Sequence, residues 1–244
     1  MTLGIIISIV VIVITGLRLF KSDGKSKPIQ EKVTVHKKNE AEKFVNQLDQ
    51  YGYFKYAEKS NRAILKDAFI QEFDPNSELI SSWDDDTNLP KDFRYYFCDG
   101  EEIFEQGGII GLLKDLKPVF EKMNFKCEVT NHSEEWDDKN KWLNHKITIN
   151  GNEYHIFKNF TEYGWGEAPF RMAQILNIEL HKQKIDEQIY LVNGGNDGRL
   201  VILTKPQYDL IYKTYNDENW KPLEINEWAK VFKIDIKKFD YWNE

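Results

Sequence analysis

The first twenty residues are almost entirely apolar, whereas apolar and polar positions alternate through the rest of the chain. Residues 3–17 carry no charge, and residues 19–20 extend the apolar run past Arg18, whose long side chain can reach the membrane interface. A helix over this stretch would be about 28 Å long, close to the hydrocarbon thickness of a bilayer. The pattern therefore predicts a transmembrane anchor over residues 1–20.

A cleaved signal peptide is the alternative interpretation of this segment. It needs positive charge before the apolar run and small residues at a cleavage site, but only Met1 and Thr2 precede the run and no Ala-x-Ala follows.

The Lys and Arg residues after the run predict a single-pass membrane protein with its C-terminal domain in the cytosol. Residues 21–39 are polar and Lys-rich, contain Gly24 and Pro28, and predict a flexible basic linker.

Residues 40–244 mix the apolar spacing of helices with that of strands. Helices are predicted within 40–72 and at 109–120, 169–180, 205–214 and 225–232, and strands at 93–98, 125–130, 143–149, 153–158, 188–192 and 199–203. This order predicts an α+β domain with a mixed or mainly antiparallel sheet and helices packed on one face. Residues 40–90 are a candidate helical subdomain.

Three local signals sharpen these elements. Asn150-Gly151 between two strand patterns predicts a tight hairpin. Thr204 and Gln207 form a capping-box pattern at the start of helix 205–214. Pro118 should kink or shorten the helix over 109–120.

Charge and cysteine content narrow the classes of partner. Residues 1–38 contain seven Lys and Arg and two acids, so they carry +5; since the whole chain carries −7, residues 39–244 carry −12. An acidic domain repels phosphate backbones, which argues against nucleic acid and suits a basic protein partner or simply a solvated surface. Two cysteines without CxxC spacing predict neither a disulfide framework nor a zinc motif.

Aromatic residues supply the candidate binding residues. Tyr163, Trp165 and Glu167 stand in a glycine-containing loop before a predicted helix, where the backbone can approach a ligand and rings can stack; the alternative is a loop that only turns the chain. Trp83 and Trp136 stand among acidic residues and could anchor a basic partner, unless these segments are simply solvated loops.

Cys98 is the candidate nucleophile, because it stands where a strand gives way to a helix start. The base would be His132, His145 or His155, whereas Asp99 opposes thiolate formation. The histidines show neither His-x-His spacing on a strand nor His-x₃-His spacing on a helix, so neither a metal site nor a cofactor is predicted.

These patterns favour a membrane-anchored cytosolic protein that binds another protein. The chain contains no P-loop, GxGxxG, GxSxG or HExxH motif, which lowers the expectation of a common enzyme class. A hydrolase that uses Cys98 as its nucleophile is the alternative.

Overall fold

The computed structural model describes residues 27–79, 82–84, 86–87 and 89–237, with side chains from residue 37 onward. Its contacts divide the chain into Met1–Lys37 and Lys38–Glu244, and the fold below is that of the second unit. The predicted anchor lies outside the described residues. Within the described part of the chain, no helix combines the length and apolar character needed to cross a bilayer.

The unit Lys38–Glu244 is an α+β domain, as the sequence pattern predicts. Its helices are α1 (Lys27–Gln50, beginning in the first unit), α2 (Arg62–Gln71), α3 (Gly100–Phe104), α4 (Gly108–Met123), α5 (Glu167–Lys182), α6 (Lys205–Thr214) and α7 (Ile225–Val231), with 3₁₀-helices at Tyr53–Tyr56 and Gly195–Asp197. Its strands are β1 (Trp83–Asp84), β2 (Leu89–Pro90), β3 (Tyr95–Phe97), β4 (Val129–Asp137), β5 (Trp142–Ile149), β6 (Asn152–Phe160), β7 (Glu187–Val192) and β8 (Arg199–Thr204).

The described strands form three antiparallel sheets. The central sheet has the order β3-β8-β7, a second sheet has the order β4-β5-β6, and β1 pairs with β2. The hairpin predicted at Asn150-Gly151 joins β5 to β6 and is confirmed. Both turn residues have positive φ, 52° and 79°, which is the conformation that a two-residue hairpin turn requires.

Helices cover both faces of the central sheet, not one face as the sequence pattern suggested. One face packs with α4 and α5, through Ile189, Leu191, Leu200 and Ile202. The other face packs with α1, α2 and α6, through Tyr190, Val192, Val201 and Leu203. Both sides are buried because residues 189–192 of β7 and 200–203 of β8 are continuous apolar runs without a polar face.

Two predicted boundaries differ from the structure. Helix α4 continues through Pro118 to Met123, because the buried stripe on both sides of the proline holds the last turns against the core. Strand β4 spans Val129–Asp137 instead of 125–130, since it pairs along the whole length of β5. Within the segment predicted as a linker, the backbone is helical from Lys27 onward.

A buried arginine ties the segment after α1 to the central sheet. Arg94 is fully buried, and its guanidinium donates to the carbonyl oxygens of Tyr53 (2.5 Å), Ile202 (2.7 Å) and Gly52 (3.1 Å). The Tyr53 hydroxyl in turn donates to Asp92 at 2.8 Å, and burial raises the pKa of the Asp92 carboxyl. This network connects three separate parts of the chain.

Candidate functional site

Two pairs of aromatic side chains lie where α3, β4 and the 163–167 loop meet and are here together called the aromatic surface: Phe104 with Trp136, and Tyr163 with Trp165. The Phe104 ring lies 5.7 Å from the Trp136 ring, and the Tyr163 and Trp165 rings are 6.1 Å apart. Trp136 is 50% exposed, Tyr163 83% and Trp165 42%. These three rings therefore offer apolar surface to the solvent.

Close backbone packing places the 163–167 loop against α3. A Cβ atom on Gly164 would lie 2.7 Å from the Phe104 ring, and one on Gly100 would lie 1.9 Å from the carbonyl oxygen of Trp165. Only glycine allows this approach, so the two glycines join the loop to the first turn of α3. The loop therefore carries Tyr163 and Trp165 on a packed support.

The other two predicted binding residues lie in different surroundings. Glu167 is the first residue of α5, where the positive end of the helix dipole stabilises its negative charge. Trp83 is in β1, and its ring lies 4.6 Å from that of Phe97 in the central sheet, tilted by 33°. The structure thus places the Trp136 ring beside that of Phe104, and it packs the loop that carries Tyr163 and Trp165 on Phe104 through Gly164. Trp83 lies elsewhere, beside Phe97.

Three further side chains converge on the β4–β5 pair and are here called the triad: His132, Glu134 and His145. The two histidine Nε2 atoms are 2.9 Å apart. Glu134 Oε1 lies 3.1 Å from Nε2 of His132 and 3.3 Å from Nε2 of His145. The geometry follows from the sheet, because His132 and Glu134 are two residues apart on one strand and Glu134 pairs directly with His145.

The triad is largely shielded from water. The side chains of His132, Glu134 and His145 are 23%, 6% and 4% exposed. Burial, together with the neighbouring His132, lowers the pKa of His145 to about 3, so this imidazole is neutral near pH 7. A neutral imidazole keeps a lone pair on one ring nitrogen, the form in which histidine binds metals.

A backbone donor from the α3–α4 turn holds the carboxylate of the triad. The N–H of Gly107 donates to both oxygens of Glu134, at 3.1 and 2.9 Å. Gly107 has φ +83°, and a Cβ on Gly108 would lie 1.9 Å from the carbonyl oxygen of Glu102. The turn is thus tightly packed, and its N–H group fixes the direction of the Glu134 carboxylate.

The triad was not predicted from the sequence, because the predicted strand ended at residue 130. In the structure the strand continues to Asp137. His132, Glu134 and Trp136 are therefore spaced two residues apart and share one face of β4. The period-two pattern His-x-Glu-x-Trp was the available signal. His145 was correctly placed on the buried face of its hairpin, with His155 on the other.

Cys98, the candidate nucleophile, is buried at the end of the central sheet. It is 3% exposed, and its backbone N–H donates to the Gly198 carbonyl at 2.9 Å. Burial, reinforced by Asp99, raises the pKa of the Cys98 thiol to about 12. The thiolate, which is the nucleophilic form, is therefore strongly disfavoured at neutral pH.

We expect the Cys98 thiol to react at neutral pH only after the protein unfolds. A pKa of about 12 lowers the thiolate fraction roughly 1000-fold relative to an ordinary thiol. The measurement is the rate of modification by a chromogenic disulfide reagent, with and without urea, in a Cys127→Ser variant that leaves Cys98 as the reporting thiol. Rapid reaction of the native protein would restore the thiol-hydrolase alternative.

The aromatic surface and the triad are neighbours. Trp136 follows Glu134 on the same face of β4, and the Phe157 ring lies 5.5 Å from that of Phe104 and 6.4 Å from that of His145. Strand β4 therefore carries both groups side by side. Comparison of the chain with protein-family models, with curated proteins and with solved structures found no match.

Proposed function

We propose that this protein is a membrane-tethered binding protein whose acidic domain recognises a positively charged protein segment through the aromatic surface. The observation that carries the proposal is the exposure of Trp136, Tyr163 and Trp165 on two segments, β4 and the 163–167 loop, that both pack against Phe104. Large aromatic side chains are the usual anchors of protein interfaces, because they bury much area and lose little side-chain entropy.

The charge of the domain supports a basic partner. Residues 39–244 carry −12, and Glu135, Glu162 and Glu167 stand next to or near the aromatic residues along the chain. Such a field speeds the approach of a cationic segment, and it suppresses binding of anionic ones. Lysine and arginine side chains can also lie over exposed aromatic rings.

The apolar stretch within residues 1–20 supports the tether, and the basic residues after it favour an orientation with the domain at the inner face of the membrane. Confinement to a surface raises the effective concentration of the domain towards partners at the same membrane. Protease added outside intact cells should leave the domain undigested, and its digestion would contradict this orientation.

The binding proposal predicts a specific loss of affinity. Full-length protein in detergent micelles is used to select peptides from a displayed library of random sequences. The selected peptides should be rich in Lys and Arg, and Trp136→Ala or Tyr163→Ala should each weaken their binding about 10-fold or more, as loss of an interface anchor does. Fluorescence anisotropy of a labelled selected peptide measures the affinity.

The matched control is Tyr51→Ala, which removes an exposed ring at the end of α1. Its affinity for the peptide should stay within about twofold of the wild type. Selection of acidic peptides, or equal loss in the Tyr51 and Trp136 variants, would contradict the proposal. Higher salt should weaken the binding, since exposed charges are screened.

A further inference from the structure

The triad has the donor set and the spacing of a metal site. We propose that His132, Glu134 and His145 bind one divalent transition metal ion through the two Nε2 atoms and Glu134 Oε1. The three donor atoms lie within 3.3 Å of one another. This site is independent of the proposed function.

The distances fit a common ion. Nitrogen and oxygen donors bind Zn²⁺ at about 2.0–2.1 Å, and donors at that distance stand roughly 2.8–3.4 Å apart for bond angles between 90° and 109°. The three edges of the triad are 2.9, 3.1 and 3.3 Å. A single point about 1 Å from the plane of the three atoms therefore reaches all of them at bonding distance.

Burial makes a cation at this point favourable. The three donor atoms face one another, and two of the three side chains are less than one tenth exposed. An ionised carboxylate is costly to bury unless a positive charge or several donors compensate it. The Gly107 N–H compensates from one side, and a metal ion would do so from the other.

Hydrogen bonds and strand pairing around the triad hold its side chains in place. Ligating carboxylates are themselves held by hydrogen bonds that set their direction, and Glu134 receives such bonds on both oxygens from the α3–α4 turn. Glu134 and His145 are also a directly opposed pair in a regular antiparallel register, so the sheet holds their spacing.

The donor chemistry selects the class of ion. Two imidazoles and one carboxylate suit Zn²⁺, Fe²⁺, Co²⁺ or Ni²⁺, whereas Mg²⁺ and Ca²⁺ prefer sites made of oxygen atoms. Three protein ligands leave at least one coordination position for water or another small ligand. The exposed Trp136 lies two residues beyond Glu134 on the same face of β4.

The test uses full-length protein without an affinity tag, in detergent and freed of metal with a chelator. Titration calorimetry with ZnCl₂ should show one site tighter than about 10 µM. Co²⁺ should add visible d–d absorption that Zn²⁺ then abolishes. Zn²⁺ should also shift the imidazole resonances of His132 and His145 in the wild type, a readout that requires no mutation.

Variants assign the site to the triad. His132→Ala removes the most exposed of the three side chains, and Glu134→Gln keeps the shape of the carboxylate. Each should weaken Zn²⁺ binding by more than about 100-fold, beyond the effect of losing an outer-shell partner. His155→Ala is the matched control, because it removes a 43% exposed histidine from the same sheet outside the triad, and it should bind as the wild type does.

Three results would overturn the proposal: no stoichiometric Zn²⁺ binding by the wild type, unchanged binding by His132→Ala, or equal loss in His155→Ala. The circular dichroism of each metal-free variant establishes that it is folded. If His132→Ala does not fold, the imidazole resonances of the wild type decide, and their failure to move with Zn²⁺ counts against the site. In that case the triad is a hydrogen-bonded pair of histidines with a carboxylate.

Discussion

Replacing Arg94 with methionine should lower the free energy of unfolding by about 3–5 kcal/mol, the range found when one member of a buried charged network is removed. The guanidinium of Arg94 is the donor for three backbone carbonyls, those of Gly52, Tyr53 and Ile202. Methionine fills a similar volume but donates nothing, so these acceptors lose a partner inside the protein. Asp92 would also lose a nearby positive charge.

Urea unfolding followed by tryptophan fluorescence measures this loss. Arg62→Met is the matched control, because its guanidinium also donates to backbone carbonyls, those of Ala57 and Lys55, but nearer the surface. It should cost less than about 1 kcal/mol. Equal losses in the two variants would show that burial does not determine how much the Arg94 hydrogen bonds contribute to the free energy of unfolding.

Gly100→Ala should lower the free energy of unfolding by about 1–3 kcal/mol or more, as overpacking does. The added Cβ would stand 1.9 Å from the carbonyl oxygen of Trp165, and both its close neighbours are backbone atoms that no rotamer change can move aside. The 163–167 loop must therefore shift away from α3. We also expect the emission of Trp165 to change and peptide binding at the aromatic surface to weaken.

The matched control is Gly111→Ala in α4. A Cβ there would meet nothing within 4 Å, so the substitution should raise stability by up to about 1 kcal/mol through helix propensity. Thermal and urea unfolding of both variants gives the comparison. A Gly100→Ala protein as stable as the wild type would mean that the loop adapts without loss, and that glycine is not required at this contact.

The two proposals for this domain share β4 but use different side chains of it, His132 and Glu134 for the metal and Trp136 for the peptide. His132→Ala should abolish tight Zn²⁺ binding while leaving Trp136 in place for the peptide, whereas Trp136→Ala should weaken the peptide and leave the triad intact. Measuring both ligands on both variants therefore separates the metal site from the binding surface. Loss of both ligands in both variants would indicate a general disturbance of β4.

Elements governed by neighbouring residues were predictable from the sequence. The hairpin at Asn150-Gly151 needs positive φ at both turn positions, which these residues tolerate. Helix α6 has the predicted bounds, and its capping box of Thr204 and Gln207 is present. The α+β class followed from the order of such elements.

What only the tertiary structure decided depends on pairing between distant residues. The length of β4 is set by its register with β5, and that register brings His145 to Glu134 and His132 across the turn between the strands. Likewise, helices cover the second face of the central sheet because Tyr190 and Val201 pack there with α1 and α6. Local propensity carries no information on such partners, since cross-strand contact and burial arise only when separate elements assemble.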